Sequence, residues 1–465
     1  MGMLGDLLSR ARGGDAEPTK RSTRALARNR RPDAESDAPA DKAARPSKKD
    51  KPSKKDKPSK KDKPARATAM PQQAFPKVVG PADAVLTGTV IALVAFGVVM
   101  VYSASAVFAH SRYGNGQYFL IKQAIFAVVA LPTMVALAKL DYHRLRALTY
   151  PMLVGATLLL AATAFGLGRR AGGASRWISL GPVNVQPGEI IKVALICWLA
   201  YSLSKKREQI RSFSVGFLPH VLMAAIMMVL CLKQPDFGSA VMIGLITFVL
   251  LFTAGARLGY MLGAGILALP IVYWLVAGSE YRMRRITAFL SPFEHRYEAG
   301  YQIAESLMSF GAGGASGVGI GDSRQKLFFL PEAHTDFISA IIGEELGFVG
   351  FAVLVIAFVV LIARGLRAAY LAVDDYGTYL AVGITMFVGM QAFTNLAVAV
   401  GLLPTKGLVL PFISYGGSAL LVNCAAIGLL LNVSRPREGT PAAELTKKKP
   451  RARGNPRLSE AGGLA

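Results

Sequence analysis

The sequence predicts an all-α polytopic membrane protein with ten transmembrane helices and both termini in the cytoplasm. Hydrophobic residues make up 52% of its 465 positions, and the mean hydropathy is +0.39. Several uncharged windows reach the ~20 apolar residues that a helix needs to cross a bilayer. The short loops on one side are rich in Lys and Arg, as are both tails, and such loops face the cytoplasm.

Two basic tails flank the apolar segments. We place the tails at 1–80 and 435–465 and the membrane domain at 81–434. The net charge is +24, and by residue count the tails carry +11 and +5 of it. Basic segments beside membrane spans are attracted to anionic lipid headgroups. The charge therefore predicts membrane lipids as partners and not nucleic acid.

A repeat dominates the first tail. Pro46-Ser-Lys-Lys-Asp-Lys51 occurs three times in succession, through Lys63. A segment of this composition cannot bury enough apolar surface to offset the entropy lost on ordering. Residues 1–80 are therefore predicted to be disordered.

The ten spans follow in order along the membrane domain. They lie near 84–105, 118–138, 148–168, 188–204, 215–232, 236–256, 258–278, 337–363, 377–401 and 408–433. The three cysteines fall within them, at spacings that suggest neither a metal site nor disulfides. The longest connection, 279–336, lies between spans 7 and 8, on the extracytoplasmic side. A loop of this length is usually functional or disordered, and its apolar content argues against disorder. The helical spacing of Ile303, Leu307 and Phe310 predicts a short helix within it.

Acidic residues gather at the start of span 8. The run Leu330-Pro-Glu-Ala-His-Thr-Asp336 leads into the span, and Glu344 and Glu345 follow inside it. Carboxylates in hydrocarbon are costly and usually functional. At ~100° per residue, Asp336 and Glu344 share one side of the helix and Glu345 projects nearly opposite. One of the two glutamates is therefore expected to bind a neighbouring helix, and the pattern leaves open which.

Polar residues near the outward ends of several spans predict a polar cavity that opens outward. Lys192 follows Glu189 at i+3, so an ion pair on one helix face is an alternative role for it. Helix breakers at 403–407 and 414–418 are tolerated at membrane depth where backbone lines a cavity. The candidate cavity residues are Arg176, Lys192, Gln234, Asp236, Glu332, His334, Asp336, Glu345, Lys406, Ser414, Tyr415, Gly416 and Gly417.

Several motifs follow one another along the membrane domain. They are Met100-Val-Tyr-Ser-Ala-Ser105, Ser175-Arg-Trp-Ile178, Gln234-Pro-Asp-Phe-Gly238, Leu330-Pro-Glu-Ala-His-Thr-Asp-Phe337, Gly343-Glu-Glu-Leu-Gly347, Gly401-Leu-Leu-Pro-Thr-Lys-Gly407 and Ser414-Tyr-Gly-Gly417. In these motifs, from about residue 83 to 435, the chain resembles the SEDS family (shape, elongation, division, sporulation). Ala333 resembles the division branch of that family, because the elongation branch usually has Arg there.

The resemblance implies a peptidoglycan glycosyltransferase that polymerises lipid II on the outer face of the cytoplasmic membrane, at the division septum. The candidate cavity residues would then bind lipid II. Arg176, Lys192 and Lys406 would assist the departing pyrophosphate, alone or with a divalent cation, Mg²⁺ or Mn²⁺. No residues are assigned as metal ligands. The implied partners are a cognate class B penicillin-binding transpeptidase (FtsI) and the division proteins FtsQ, FtsL and FtsB.

One position departs from the family pattern. The family's proposed catalytic base is an Asp in the long loop, and this chain has His295 there, within Pro292-Phe-Glu-His-Arg-Tyr-Glu-Ala-Gly-Tyr-Gln302. His295 can itself be the base, because imidazole titrates near neutrality. Alternatively, Glu294 or Glu298 supplies the carboxylate, or the chain binds its substrate without polymerising it. We take His295 and Glu294 as the catalytic candidates.

Two other functions stay open beside the enzyme. A lipid II flippase needs polar groups along a path from the inner to the outer leaflet, whereas the polar groups here gather at the outward ends of the spans. A divisome scaffold of weak catalytic activity would fit the basic repeat tail and the His295 change.

Overall fold

The computed structural model describes residues 76–171, 174–181 and 183–438, and these are mostly helical. Most of both predicted tails therefore lies outside the described residues. The helices are α1 (Ala84–Tyr113), α2 (Tyr118–Lys139), α3 (Leu145–Ala162), α4 (Pro187–Lys205), α5 (Leu218–Lys233), α6 (Phe237–Thr253), α7 (Leu258–Ala277), α8 (Glu280–Leu290), α9 (Tyr301–Gly313), α10 (Ile338–Tyr370), α11 (Asp375–Ala399) and α12 (Gly417–Val433).

Ten of these helices follow the order of the ten predicted spans, but α12 begins at Gly417 and not at the predicted residue 408. Eight within the described part of the chain are long and apolar enough to cross a membrane, counting α3 and α5 with their adjoining turns. The other two, α6 and α12, are shorter apolar helices of 17 residues each. At about 1.5 Å per residue they measure about 25 Å, against a hydrocarbon core of ~30 Å. The all-α membrane class is confirmed, and the count of ten spans and their sidedness stay predictions.

Helices α4 and α11 form the centre of the bundle. Most residues of both are buried, and α4 packs against α3, α6 and α11. In contrast, Met261 is the only buried residue among the described residues of α7, which packs mainly against α8. The apolar core is therefore built around α4 and α11, and α7 lies at its edge.

A small antiparallel sheet fills the connection between α3 and α4. Its strands are β1 (Arg169–Ala171), β2 (Ala174–Leu180) and β3 (Val183–Val185), in the order β1-β2-β3. Ile178 pairs with Val185, and Gly181 turns the chain with φ 64°. Alternating polar and β-branched or aromatic residues favour strands, and Gly provides the positive φ of the turn.

The long connection between α7 and α10 is structured. It contains the predicted short helix, present as α9, and α8, which the sequence analysis does not predict. Ser306 of α9 donates to the carbonyl of Ala399 at 2.7 Å. The side chain of Arg285 in α8 donates to the carbonyl of Thr405 at 2.9 Å. Helix α9 is therefore attached to the last residue of α11, and α8 is attached to the connection between α11 and α12.

Helix α10 is interrupted at Gly347, where φ is 63° and ψ −165°. Residues 314–319, here called the inserted segment, supply the backbone partners that the interruption removes. The amides of Phe348 and Val349 donate to the carbonyls of Gly314 and Ala315 at 2.9 and 3.1 Å, and the amides of Val318 and Gly319 donate to those of Glu344 and Glu345 at 3.0 Å. Irregular backbone inside a span is tolerated where protein covers it.

The two ends of the membrane domain meet. Val78 and Arg437 form an isolated antiparallel bridge, and the amide of Glu438 donates to the carbonyl of Lys77 at 3.0 Å. The Arg437 side chain is buried, with its guanidinium 4.9 Å from the centre of the Tyr142 ring. It also donates to Asp141 Oδ1 at 3.1 Å. We call this arrangement the terminal clamp.

Candidate functional site

Three segments distant in sequence converge at the end of the bundle where α10 begins. Asp336 lies two residues before α10, Arg176 lies on β2, and Gly407 lies in the connection before α12. A Cβ atom at Gly407 would lie 2.9 Å from Asp336 Oδ2 and 3.9 Å from Arg176 Nη1. Arg176 also donates to the carbonyl of Pro235, which precedes α6. The sheet, α6, α10 and the segment before α12 therefore meet at one polar site.

Two arginines of α8 add positive charge to this site. Arg285 lies close enough to Asp336 to lower the pKa of its carboxyl, and Arg285 is held by the carbonyl of Thr405. The guanidinium of Arg282 lies 5.7 Å from the centre of the Phe237 ring. Lys406 places its ammonium 5.2 Å from the same ring. With Arg176, four cationic side chains surround the first residues of α6 and α10, and we call them the cation cluster.

Two carboxyls accompany the cation cluster. Burial and the charge of Glu332 raise the pKa of Asp336 to about 7, against the opposing effect of Arg176 and Arg285. The other carboxyl, Asp236, caps α6 by accepting from the amide and hydroxyl of Ser239 at 3.2 and 2.7 Å.

The pKa of Lys406 is also perturbed. Burial lowers the pKa of its ammonium, and the charge of Asp236 opposes that change. The cluster places three arginines and one lysine beside Asp236 and Asp336, and it suits an anionic ligand such as phosphate oxygens.

His334 lies among aromatic rings beside the cluster. Its ring centre is 5.6 Å from that of Phe108, 4.6 Å from Phe119 and 5.9 Å from Tyr415. The Tyr415 amide donates to the His334 carbonyl at 3.0 Å, and the Ser414 hydroxyl donates to the Thr335 carbonyl at 2.6 Å. Burial lowers the pKa of His334, which favours its neutral ring. The predicted residues 414 and 415 thus hold residues 334–336 in place.

Asn395 fixes the same segment from α11. Its Nδ2 donates to the carbonyls of Asp336 and Leu408 at 2.8 and 2.7 Å, and its Oδ1 accepts from the Ser339 hydroxyl at 2.9 Å. The sequence analysis does not select Asn395, although an amide in an apolar span is a usable signal. It also misses Arg282 and Arg285, whose signal is the clustered arginines at 282–285.

Lys192 has the ion pair that its spacing permits. Its ammonium lies 2.7 Å from Glu189 Oε1, and its side chain is fully buried. Gln391 of α11 donates to the other carboxylate oxygen at 2.8 Å, and the Phe387 ring centre lies 5.2 Å from the ammonium. Lys192 therefore joins α4 to α11, and its role toward a substrate stays a prediction. Gln234, also predicted for the cavity, donates to the Leu160 carbonyl at 2.7 Å.

Both glutamates of α10 are buried and have partners. Glu345 is the one that reaches a neighbouring helix, because the hydroxyl of Ser103 in α1 donates to it at 2.6 Å. Its Oε1 also lies 3.0 Å from Lys326 Nζ. Glu344 instead binds the long loop, accepting from Ser323 and from the Arg324 amide. Glu345 is thus engaged inside the protein, and its predicted role in substrate binding stays a prediction.

The catalytic candidates lie in the turn between α8 and α9. The His295 carbonyl accepts the amides of Glu298 and Gly300 at 3.0 and 3.1 Å. Glu294 is exposed and His295 is partly buried. Across the described residues, neither side chain makes a hydrogen bond. Their next neighbour, Arg296, is held by Glu305 of α9 at 3.1 Å. The choice of base therefore stays a prediction.

The remaining predicted residues lie around the same segment. Gly416 directly precedes α12, and a Cβ atom at Gly417 would lie 2.2 Å from Phe126 Cε2, so Gly417 permits close packing of α12 on α2. Glu332 is exposed and accepts from the Thr335 hydroxyl at 2.8 Å. Within the described residues, no group of three or more His, Cys, Asp or Glu side chains could hold a metal ion. A cation bound largely by substrate phosphates would need fewer protein ligands.

The family model FTSW_RODA_SPOVE, described as "Cell cycle protein", matches residues 83–439. The chain is 48% identical over 360 residues to the probable peptidoglycan glycosyltransferase FtsW of Geobacter metallireducens, covering 77% of this chain and 96% of that protein. It is 40% identical over 357 residues to the stage V sporulation protein E of Bacillus subtilis, covering 76% and 97%.

Solved structures show the same fold. A chain from a study titled "Structural coordination of polymerization and crosslinking by a peptidoglycan synthase complex" superposes with a TM-score of 0.64 and 29% identity, covering 76% of this chain and 97% of that one. The rod shape determining protein RodA of Thermus thermophilus gives a TM-score of 0.57 and 30% identity, covering 77% and 98%.

Proposed function

The chain belongs to the FtsW/RodA/SpoVE family of cell cycle proteins, and from that membership we propose that it is a peptidoglycan glycosyltransferase of cell-wall synthesis. Lipid II is its substrate in this proposal. The observation that carries the proposal is the cation cluster, because Arg176 and Arg285 lie near Asp336, and Arg282 and Lys406 lie at the Phe237 ring at the start of α6. Such a site suits a pyrophosphate that gains charge as it leaves.

The proposed reaction is a displacement at the anomeric carbon of a lipid-linked glycan. The 4-hydroxyl of an acceptor lipid II forms the new C–O bond, and the bond from the anomeric carbon to the pyrophosphate oxygen breaks. The electron pair of that bond stays on undecaprenyl pyrophosphate, where the cation cluster stabilises it. The hydroxyl proton passes to a general base, for which His295 and Glu294 are the candidates. A divalent cation would share the neutralisation of the pyrophosphate.

We propose that the chain acts in cell division. Support comes from Ala333 and from the relatives named FtsW. The similarity to a chain of a peptidoglycan synthase complex supports a cognate transpeptidase of the penicillin-binding class as partner, and we take FtsI as that partner. FtsQ, FtsL and FtsB, and a place at the septum of the cytoplasmic membrane, follow from the same assignment.

The test of the proposal is polymerisation of labelled lipid II by the purified protein together with its transpeptidase. Arg285→Ala should lower kcat by about 10²–10³-fold, because it removes one charged donor from the leaving-group site. Arg284→Ala is the matched control, since Arg284 pairs with exposed Glu280 on the same helix and lies outside the cation cluster. Glycan chains from wild type and control but not from Arg285→Ala support the proposal.

Two results would contradict it. Arg285→Ala polymerising at the wild-type rate would remove the cation cluster from the reaction. Wild type that makes no chains, yet transfers labelled lipid II between the leaflets of a vesicle, would replace the enzyme by the flippase.

The choice of base is tested in the same assay. If His295 is the base, His295→Ala abolishes polymerisation and Glu294→Ala leaves it near wild type. If the carboxylate is the base, the effects are reversed. General-base catalysis contributes typically 10²–10⁴-fold, so the two results are easily separated. Activity that survives both substitutions would exclude both candidates.

A further inference from the structure

A buried ion pair lies outside the cation cluster and has no part in the chemistry described above. Lys326 Nζ lies 3.0 Å from Glu345 Oε1, and the two side chains are 7% and 0% exposed. Ser103 of α1 donates to both carboxylate oxygens of Glu345, at 2.6 and 2.7 Å. Removing two charges from water costs several kcal/mol per ion, and well-packed neutral residues often replace such pairs without loss of stability. The pair therefore calls for a role other than stability.

The ion pair joins the two ends of a chain segment, residues 326–345, that carries part of the site. Between Lys326 and Glu345 run the loop 327–337 and the first two turns of α10. Three candidate site residues, Glu332, His334 and Asp336, lie in that loop. Glu344 adds a second attachment at the same end, through Ser323 and the Arg324 amide.

The interruption at Gly347 gives this attachment a role. The amides of Phe348 and Val349 donate to the inserted segment, and the carbonyls of Glu344 and Glu345 accept from the inserted segment. Two backbone hydrogen bonds that would join the outer part of α10, residues 338–346, to the rest of a regular helix are therefore replaced. Side-chain attachments help to fix the outer part, and Glu345 provides one at the last turn before the break.

We propose that Lys326 and Glu345 are positioning residues, whose buried ion pair fixes the outer part of α10 and the loop 327–337 so that Glu332, His334 and Asp336 face the substrate. This inference rests on the proposed function and deepens it. Neither residue touches the reacting atoms. Their effect passes through the loop, and a displacement of about 1 Å at such a site can lower the rate about 10²-fold.

The test compares neutral replacements of the pair. Lys326→Met and Glu345→Gln each leave one buried group without its charged partner and should lower thermal stability. The double variant, Lys326→Met with Glu345→Gln, leaves no unpaired charge and should fold. Its kcat/KM for lipid II, measured per folded protein, should still fall about 10–100-fold. The control is the exposed pair Arg284 and Glu280, whose double alanine variant should keep the wild-type kcat/KM.

A second readout does not depend on the reaction. Hydrogen–deuterium exchange of the amides at 327–337 should be faster in the double variant than in wild type and unchanged in the control, because the loop has lost its attachment. Should the double variant not fold, Glu345→Asp replaces it. That variant keeps the charge and shortens the side chain by one methylene, and it should also lower kcat/KM and speed exchange.

The outcomes separate the two hypotheses. A double variant, or Glu345→Asp, with wild-type kcat/KM and wild-type exchange would overturn the positioning role. Wild type that fails to polymerise lipid II would contradict the proposed function, and the exchange measurement would still decide whether the pair holds the loop.

Discussion

At the scale of single residues, Glu189, Lys192 and Asn395 are buried polar side chains with defined partners inside this bundle. The sequence indicates some of them, because the i+3 spacing of Glu189 and Lys192 permits the pair that the structure contains. It does not indicate Asn395 or Arg285, whose partners are backbone carbonyls at positions distant in sequence. A pattern along one helix shows which groups share a face. It carries no information on which loop reaches that face.

Asp336 should make stability depend on pH. Its pKa is raised from 3.8 to about 7, so between these values the folded state binds a proton that the unfolded state releases. Stability contributed by the neutral carboxyl is complete below about pH 4 and is lost as pH rises to about 7, by up to about 1.4 kcal/mol per pH unit.

Asp336→Asn removes the titrating group. Between pH 5 and pH 7, the thermal midpoint of the purified variant should therefore fall less than that of wild type. The difference between the two falls should correspond roughly to the stability that ionisation of Asp336 removes. The measurement is a thermal melt of wild type and variant at several pH values. Parallel curves for the two proteins would show that Asp336 does not titrate in this window.

At the scale of elements, apolar runs predict the helices well, since hydrocarbon demands about 20 apolar residues whatever the tertiary packing. The strands and α8 are not foreseen, because short segments outside the spans depend on the neighbours they pack against. For a similar reason, the sequence does not predict the interruption of α10. Gly343 to Gly350 is mostly apolar apart from Glu344 and Glu345, and only the inserted segment makes a break at Gly347 tolerable.

Gly317→Ala should disrupt the contact between the inserted segment and α10. Gly317 has φ 83°, and a Cβ atom there would lie 2.1 Å from the carbonyl oxygen of Glu345. Backbone strain and overpacking together should lower the free energy of unfolding by at least about 2 kcal/mol. The measurement is the thermal midpoint of the purified protein. The control is Gly311→Ala in α9, where a Cβ atom has open space and alanine favours the helix. Equal midpoints for the two variants would contradict the contact.

At the scale of the whole molecule, the site is a product of packing. Its charges come from β2, from the start of α6, from α8 and from the segments before α10 and α12. The sequence indicates Arg176, Asp236, Asp336 and Lys406 as polar residues near outward ends of spans, and the resemblance supplies their common role. Their meeting at one site requires the bundle, since more than two hundred residues separate Arg176 from Lys406 in the chain.

The terminal clamp should contribute to the stability of the whole domain. Arg437→Ala removes a guanidinium that packs on Tyr142 and binds Asp141 and Asn432. Because Asp141 is partly exposed, we expect the free energy of unfolding to fall by about 1–3 kcal/mol. The measurement is the thermal midpoint in detergent, which should be lower in the variant. Arg207→Ala is the control, because its pair with Asp375 is exposed on the arginine side. A midpoint unchanged by Arg437→Ala would show that the clamp is not part of the cooperative fold.

The clamp also gives the two basic tails a common origin. Residues 76–80 and 435–438 are hydrogen-bonded to each other, so the chain before and the chain after the membrane domain start within one short distance. For any partner that contacts both tails, this common starting point would raise the effective concentration of the second contact once the first has formed.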